Sequence, residues 1–102
     1  MVRVITATGS VTTSSGSATA SIYLKKSMLE QIIVNPATST TTYDISLTDL
    51  DGFIIYDMDD LTGDSIEDDP GVPTDSILTL TISNASADEV FTYKLKGVES
   101  YD

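Results

Sequence analysis

Residues 57–75 concentrate the side chains of this chain that could do chemistry. Asp57, Asp59, Asp60 and Asp64 follow one another closely there. Calcium takes about six to eight oxygen ligands, and loops rich in Asp can wrap it. These four carboxylates are therefore candidate metal ligands, with calcium as the candidate cofactor. The alternative interpretation is a solvated acidic loop that keeps a sheet edge from pairing with other chains.

The spacing of the acids does not fit an EF-hand. If Asp49 and Asp51 occupied the third and fifth positions of such a loop, the first position, which requires an acid, would fall on Leu47. The last position, which requires a Glu, would fall on Met58. A calcium site of a different kind, between Asp57 and Asp69, stays open as an alternative.

The residue types argue against an enzyme. The chain has neither cysteine nor histidine, so it lacks the commonest general base, the commonest metal ligand and a thiolate nucleophile. None of its many serines can be activated by a histidine. Pairs of carboxylates could do glycosidase chemistry, but any chain with sixteen acids contains such pairs. We predict a protein without catalytic residues.

The charge balance bears on the partners. Five basic residues stand against sixteen acidic ones, which gives a formal net charge of -11. That sign repels nucleic acid and anionic lipid. No apolar stretch approaches the roughly 20 residues of a membrane span, and the amino terminus lacks the apolar region of a signal peptide. We therefore expect neither nucleic acid nor membrane as a partner, and synthesis in the cytoplasm.

Tyrosines and lysines are the candidate partner-binding residues. Tyr23, Tyr56 and Tyr101 could anchor a protein interface if exposed, because Tyr supplies a large contact area at low entropic cost. They could equally be ordinary strand residues. Lys25 and Lys26 add two of the few positive charges.

A β-hairpin over residues 40–60 is the clearest element that the pattern predicts. Tyr43, Ile45 and Leu47 alternate with polar residues, which is the period of a half-buried strand. Asp51 and Gly52 then predict a tight primed turn before a second strand. Residues 57–75 are rich in acid, Gly and Pro, and we expect a long acidic loop there.

Other segments alternate in the same way. Ala18, Ala20, Ile22 and Leu24 mark a strand, and residues 77–83 and 91–96 predict a second hairpin. Ser27 and Glu30 have the spacing of a helix capping box, but the β-branched run at residues 32–34 favours a strand. The expected core comprises Val4, Ala18, Ala20, Ile22, Leu24, Ile33, Tyr43, Ile45, Leu47, Ile55, Leu78, Leu80, Ile82, Phe91, Tyr93 and Leu95.

About seven to eight short strands with frequent turn signals and no long helix predict an all-β fold. We expect a single domain over residues 1–102, an antiparallel β-sandwich that is Ig-like or jelly-roll-like. A small barrel shares the same strand pattern.

Residues 43–52 (YDISLTDLDG) resemble a hairpin segment of small virion structural proteins of tailed bacteriophages. Residues 16–20 (GSATA), 32–36 (IIVNP) and 78–85 (LTLTISNA) resemble the flanking parts of that pattern, so the similarity covers about residues 16–96. Residues 57–75 depart from the pattern because they are more acidic than expected.

The resemblance implies a non-enzymatic virion protein, above all a head decoration or cement protein that stabilises the capsid by bridging its subunits. A connector or tail subunit is the other role that it implies. Its partners would be the major capsid protein or other virion proteins, with further copies of itself in a homo-oligomer. The residues leave a second hypothesis open, a calcium-dependent adhesion or carbohydrate-binding β-sandwich that uses the acidic loop.

Overall fold

The computed structural model describes the backbone of residues 2–100 and, within it, all side chains except those of Val2, Asp69, Asp75, Ser76 and Ser100. The described backbone forms six strands: β1 (Val2–Thr12), β2 (Ala18–Pro36), β3 (Thr42–Thr48), β4 (Ile54–Thr62), β5 (Ser65–Ser83) and β6 (Val90–Ser100). Over these residues no helix occurs, and so none that could cross a membrane.

All six strands belong to one antiparallel sheet in the order β1-β6-β2-β5-β3-β4. Strands β2 and β5 pair with each other along nearly their whole length. Of β2, only residues 28–36 pair with β6, and of β5, only residues 79–83 pair with β3. The sheet therefore has two wings. The first wing is β1, β6, residues 28–36 and residues 65–74, and the second is residues 18–24, residues 77–83, β3 and β4.

Contacts between strands that are not neighbours show that the sheet folds over itself. Tyr43 on β3 stands edge-on to Phe91 on β6, with ring centroids 5.1 Å apart. The Tyr56 hydroxyl on β4 hydrogen-bonds to the Glu67 carboxylate of the first wing. The two wings are thus the faces of a sandwich, and eight strand segments in this order have the connectivity of a jelly roll. This confirms the predicted all-β sandwich.

The core lies between the wings and is apolar. Its buried side chains are Ile22, Leu24, Leu29, Ile32, Val34, Tyr43, Ile45, Leu47, Leu78, Leu80, Ile82, Phe91 and Leu95. Most of these were expected from alternation. Val4 was not correctly predicted, since 59% of its surface is exposed. Ile33 is also only partly buried, because a register shift between Leu29 and Gln31 turns Ile32 and Val34 inward instead.

Residues 57–75 do not form the predicted loop. They belong to β4 and β5, which are joined by a tight turn at Gly63. Gly63 has φ +64, and a Cβ there would lie 2.5 Å from the backbone oxygen of Ser39, so only glycine fits. The acids of β4 are compatible with a strand because they lie exposed on the edge of the sheet. The predicted second hairpin is also wrong: β6 pairs with β1 and β2, not with β5.

The β3–β4 hairpin exists, but its turn is not primed. The Gly52 amide donates to the Asp49 carbonyl oxygen (3.1 Å), and only Gly52 in this turn has a positive φ, of 87°. A type I turn followed by a left-handed glycine has this geometry. One carboxylate oxygen of Asp49 accepts from the amides of Asp51 (3.0 Å) and Phe53 (2.9 Å), which holds the turn.

Hydrogen bonds between loops close one end of the sandwich, the loop end, formed by residues 13–17, 37–42, 63–64 and 84–89. The Asp88 carboxylate accepts from the amides of Ser15 (3.1 Å) and Gly16 (2.8 Å). The Thr13 amide donates to the Glu89 carbonyl oxygen (3.0 Å). The opposite end has no comparable set of bonds among the described residues.

Candidate functional site at the bend end

The end opposite the loops, the bend end, brings three features together. Strand β2 passes from one wing to the other there, with a shift in register between Leu24 and Ser27. The β3–β4 turn lies beyond Thr48, which pairs with Thr79 close to the same bend. Strands β1 and β6 also reach this end, since Val98 pairs with both Val4 and Met28.

Large apolar side chains are exposed mainly at the bend end. Nine such side chains are exposed in the part of the chain that the structure describes. Seven of them lie here: Val4, Tyr23, Met28, Leu50, Phe53, Ile54 and Ile77. The other two, Ile66 and Val90, do not. Tyr23, Leu50 and Phe53 are each 70% exposed, although burial of one such side chain is worth about 1.5–3 kcal/mol.

Tyr23 and Ile77 form a cross-strand pair on the outer face of the second wing. Thr79 continues that face, and Thr48 links it to Ile54 on β4. The register therefore places the Tyr23 pair and the β3–β4 turn on one face of one end. An exposed apolar area of this kind is typical of a protein interaction site.

A cleft of about 570 Å³ opens where β2 bends. Its lining residues are Lys25, Lys26, Ser27, Met28, Pro73, Thr74, Val98 and Glu99. The Ser27 and Thr74 hydroxyls hydrogen-bond to each other at 3.3 Å, and the Thr74 hydroxyl also reaches the Ser27 carbonyl oxygen at 3.2 Å. These bonds satisfy the bent backbone and leave Met28 and Val98 as apolar walls.

The cations of the bend end surround one acid. Glu99, with 13% of its side chain exposed, forms ion pairs with Arg3 at 2.9 Å and with Lys25 at 3.1 Å. Both cations are about half exposed, so each pair stabilises the fold by about 0–1 kcal/mol. Lys26 makes no ion pair with the described residues. The cleft therefore presents a net positive charge on a chain whose net charge is -11.

A group of exposed acids lies on a different side of the molecule. The sandwich side formed by β4 and residues 65–74, the acidic side, carries Asp57, Asp59, Asp60 and Asp68 as exposed residues. The bend end combines exposed apolar side chains with charges of both signs, since Asp49 and Asp51 of the β3–β4 turn lie there too, whereas the acidic side carries exposed acids.

The structure brings together three of the five predicted partner-binding residues. Tyr23 is exposed near the bend, and Lys25 and Lys26 line the cleft. Tyr56 is not an exposed anchor, because its side chain packs against the core. Burial and the hydrogen bond to Glu67 raise the pKa of Tyr56 to about 12, so it stays protonated. Tyr101 lies outside the described residues.

The four predicted metal ligands are exposed residues of β4 and the following turn. Among the described residues no group of three or more acidic side chains is close enough to hold a metal ion. The backbone of Asp60 is instead engaged with a neighbour, since its amide donates to the Asp44 carboxylate at 2.9 Å. The second Asp44 oxygen accepts from the Asn84 side-chain amide at 2.6 Å.

Sequence reasoning missed Leu50, Phe53 and Ile54 as site residues. A signal was present, because Phe53, Ile54 and Ile55 form an apolar run directly after the turn and break the alternation. A run of this kind cannot bury all its members on one face of a strand.

Comparisons with known proteins do not identify a family for this chain. No protein-family model and no curated protein matches the chain. A chain in the structure of infectious bursal disease virus Gx strain is similar, with 14% identity and a TM-score of 0.39 over 97% of this chain. The corresponding values for the Gt strain are 13%, 0.42 and 93%. This chain spans 32% of each of those chains. A likeness at this level is not evidence of a shared function.

Proposed function

We propose that the chain is a non-enzymatic structural protein of a bacteriophage particle that attaches through its bend end to other virion proteins. Its finer role is that of a capsid cement or decoration protein that bridges capsid subunits. The observation that carries the proposal is the one-sided exposure of large apolar side chains, with Phe53, Leu50 and Tyr23 each 70% exposed at the same end.

Protein, rather than a small molecule, is the partner that this surface fits. Phe and Tyr side chains dominate the energetics of many protein interfaces, where a few central residues supply most of the binding energy. The turn that carries Phe53 is held by the Asp49 carboxylate, so little conformational freedom of the backbone is lost on binding. Jelly rolls also occur in viral capsid proteins, which agrees with the proposal by analogy of fold alone.

Co-sedimentation tests the proposal. Particles of the phage that encodes the chain are stripped of accessory proteins and mixed with the purified protein. We expect saturable binding at a fixed ratio to the major capsid protein. Phe53→Ser should weaken binding by at least tenfold. Val90→Ser is the matched control, because Val90 is 45% exposed at the loop end, and it should leave binding unchanged.

The same assay with EDTA separates this proposal from the calcium-dependent one. Binding that EDTA leaves intact supports a metal-free protein interface. Absence of binding to stripped particles, or equal losses for Phe53→Ser and Val90→Ser, would contradict attachment through the bend end.

A further inference from the structure

The two open sides of the sandwich differ in how well their edges are protected. On the acidic side, the edge strand β4 presents three exposed aspartates and is distorted at Asp60, which has φ 58°. The other edge of that side, residues 65–74, contains Asp68, Pro70 and Pro73. Charge, proline and backbone irregularity are the devices that prevent an edge strand from pairing with another chain.

The opposite side, the neutral side, has none of these devices. It is formed by β1 and by residues 18–24 of β2, which approach each other. Neither residues 4–12 nor residues 18–24 contain a charged residue or a proline. These residues therefore offer neither charge nor proline against pairing with a second strand.

Strand β1 is well suited to accept such a strand. Its register with β6 runs without a bulge from the Val2–Ser100 pair to the Thr12–Val90 pair. In an antiparallel edge strand every second residue directs its N–H and C=O groups away from the partner. No backbone hydrogen bond from residues 4–12 to a strand other than β6 occurs in the described part of the chain. Its side chains are mainly Val, Ile and Thr, which favour strands.

We propose that β1 pairs antiparallel with β1 of a second copy of the chain, across a two-fold axis at Thr8. The sheets of the two copies would then be continuous. Residues facing each other on the outer face would be the uncharged Thr6, Thr8 and Ser10. Arg3 would lie far from the axis, and Glu99 neutralises it.

Charge favours a second copy that approaches by this side. Each copy carries a net charge of -11, so two copies repel each other wherever their acids meet. Pairing through β1 places the two acidic sides at the greatest distance. When a strand pairs antiparallel with its own copy about its centre, the two strands match in length. The two-fold symmetry of most homodimers requires a self-complementary surface of this kind. The surface shares only Val4 with the apolar side chains of the bend end, and it does not depend on the proposed function.

Single cysteines test the contact directly, because the chain has none of its own. Thr6→Cys, Thr8→Cys and Ser10→Cys each place one thiol on the exposed face of β1, and Thr62→Cys places one on β4. Close to a two-fold axis, symmetric Cα atoms lie within about 4.4–6.8 Å, the span of a disulfide. We expect a disulfide-linked dimer for at least one β1 variant under mild oxidation and none for Thr62→Cys. Equal cross-linking at β1 and β4, or none at β1, would overturn the proposal.

Sedimentation equilibrium of the unmodified chain gives the second test. We expect a dimer whose dissociation constant falls as salt rises from 0.01 to 0.15 M, since the Debye length shrinks from about 30 to 8 Å. Thr8→Lys should raise that constant at least tenfold, because two lysines meet at the axis. Thr62→Lys changes the net charge equally and should not. A monomer at all concentrations, or association that salt weakens, would contradict β1 pairing and indicate a foreign strand or a head-to-tail contact instead.

Discussion

The Tyr43 hydroxyl joins three segments inside the core. It lies 2.6 Å from the Gly63 carbonyl oxygen, 3.2 Å from that of Val34 and 3.1 Å from the Ser65 hydroxyl. Tyr43→Phe would leave the Gly63 oxygen without its buried donor. We expect the free energy of unfolding to fall by about 1–3 kcal/mol in urea titrations. Tyr23→Phe is the control, and a change above about 0.5 kcal/mol there would point to a general effect of losing a hydroxyl.

Asp60 occupies a left-handed conformation that costs a non-glycine residue about 1–2 kcal/mol. Asp60→Gly keeps the amide that donates to Asp44, and we expect it to raise the free energy of unfolding by up to about 1 kcal/mol. Asp59→Gly removes the same charge from a residue without a positive φ, so it should lower stability by about 0.5–1 kcal/mol. Thermal denaturation of the two variants checks the opposite signs, and equal shifts would refute the explanation.

Asp44 provides a prediction about pH. Hydrogen bonds from the Asn84 side chain and from the Asp60 amide hold the pKa of Asp44 below its ordinary value of 3.8. A lowered pKa in the folded state stabilises the fold above pH 3.8, and this contribution is lost as pH falls through the folded value. Asp44→Asn should therefore lower the melting temperature at pH 7 and change it less at pH 2.

Asp51→Asn is the control for that comparison. It removes the same charge from an exposed position whose carboxylate accepts no hydrogen bond from the described residues. A pH-dependent loss of the same size in both variants would show that net charge, not the bonds of Asp44, is responsible.

At the scale of elements, the bend depends on a close approach of β6. A Cβ at Gly97 would clash with the Ser27 side chain and lie 3.4 Å from Leu24. Gly97→Ala should therefore lower the free energy of unfolding by about 1–3 kcal/mol through overpacking. In a Ser27→Ala background the loss should be smaller, which a double-mutant cycle from urea titrations measures. Additive effects would show that the two residues do not meet.

Alternation predicted the elements where strands are regular and failed where they are not. Ile45 and Leu47 were placed correctly because β3 pairs with β5 in one unbroken register. The register shift near Gln31 reversed the expected face of Ile33, and no local signal marks it. The composition of residues 57–75 predicts a loop because Asp, Pro and Gly are poor strand formers. Pairing at the edge of the sheet overrides that preference.

The candidate site was only partly predictable for a related reason. Lys25 and Lys26 could be named from charge alone, but their place beside Glu99 depends on the pairing of distant strands. The exposure of Phe53 depends on the turn geometry, which differs from the primed turn that Asp51 and Gly52 suggested.

On the scale of the whole molecule, two strands belong to both faces of the sandwich. β2 and β5 each continue from one wing to the other and both wings cover the same core, so opening of one wing would expose the apolar face of the other. Amide hydrogen exchange should therefore report one cooperative unit, with Ile22, Val34 and Leu80 exchanging at a common free energy equal to that of global unfolding. A lower value for one wing would show separate opening. Under mechanical tension, such coupling would make the fold yield all at once rather than by degrees.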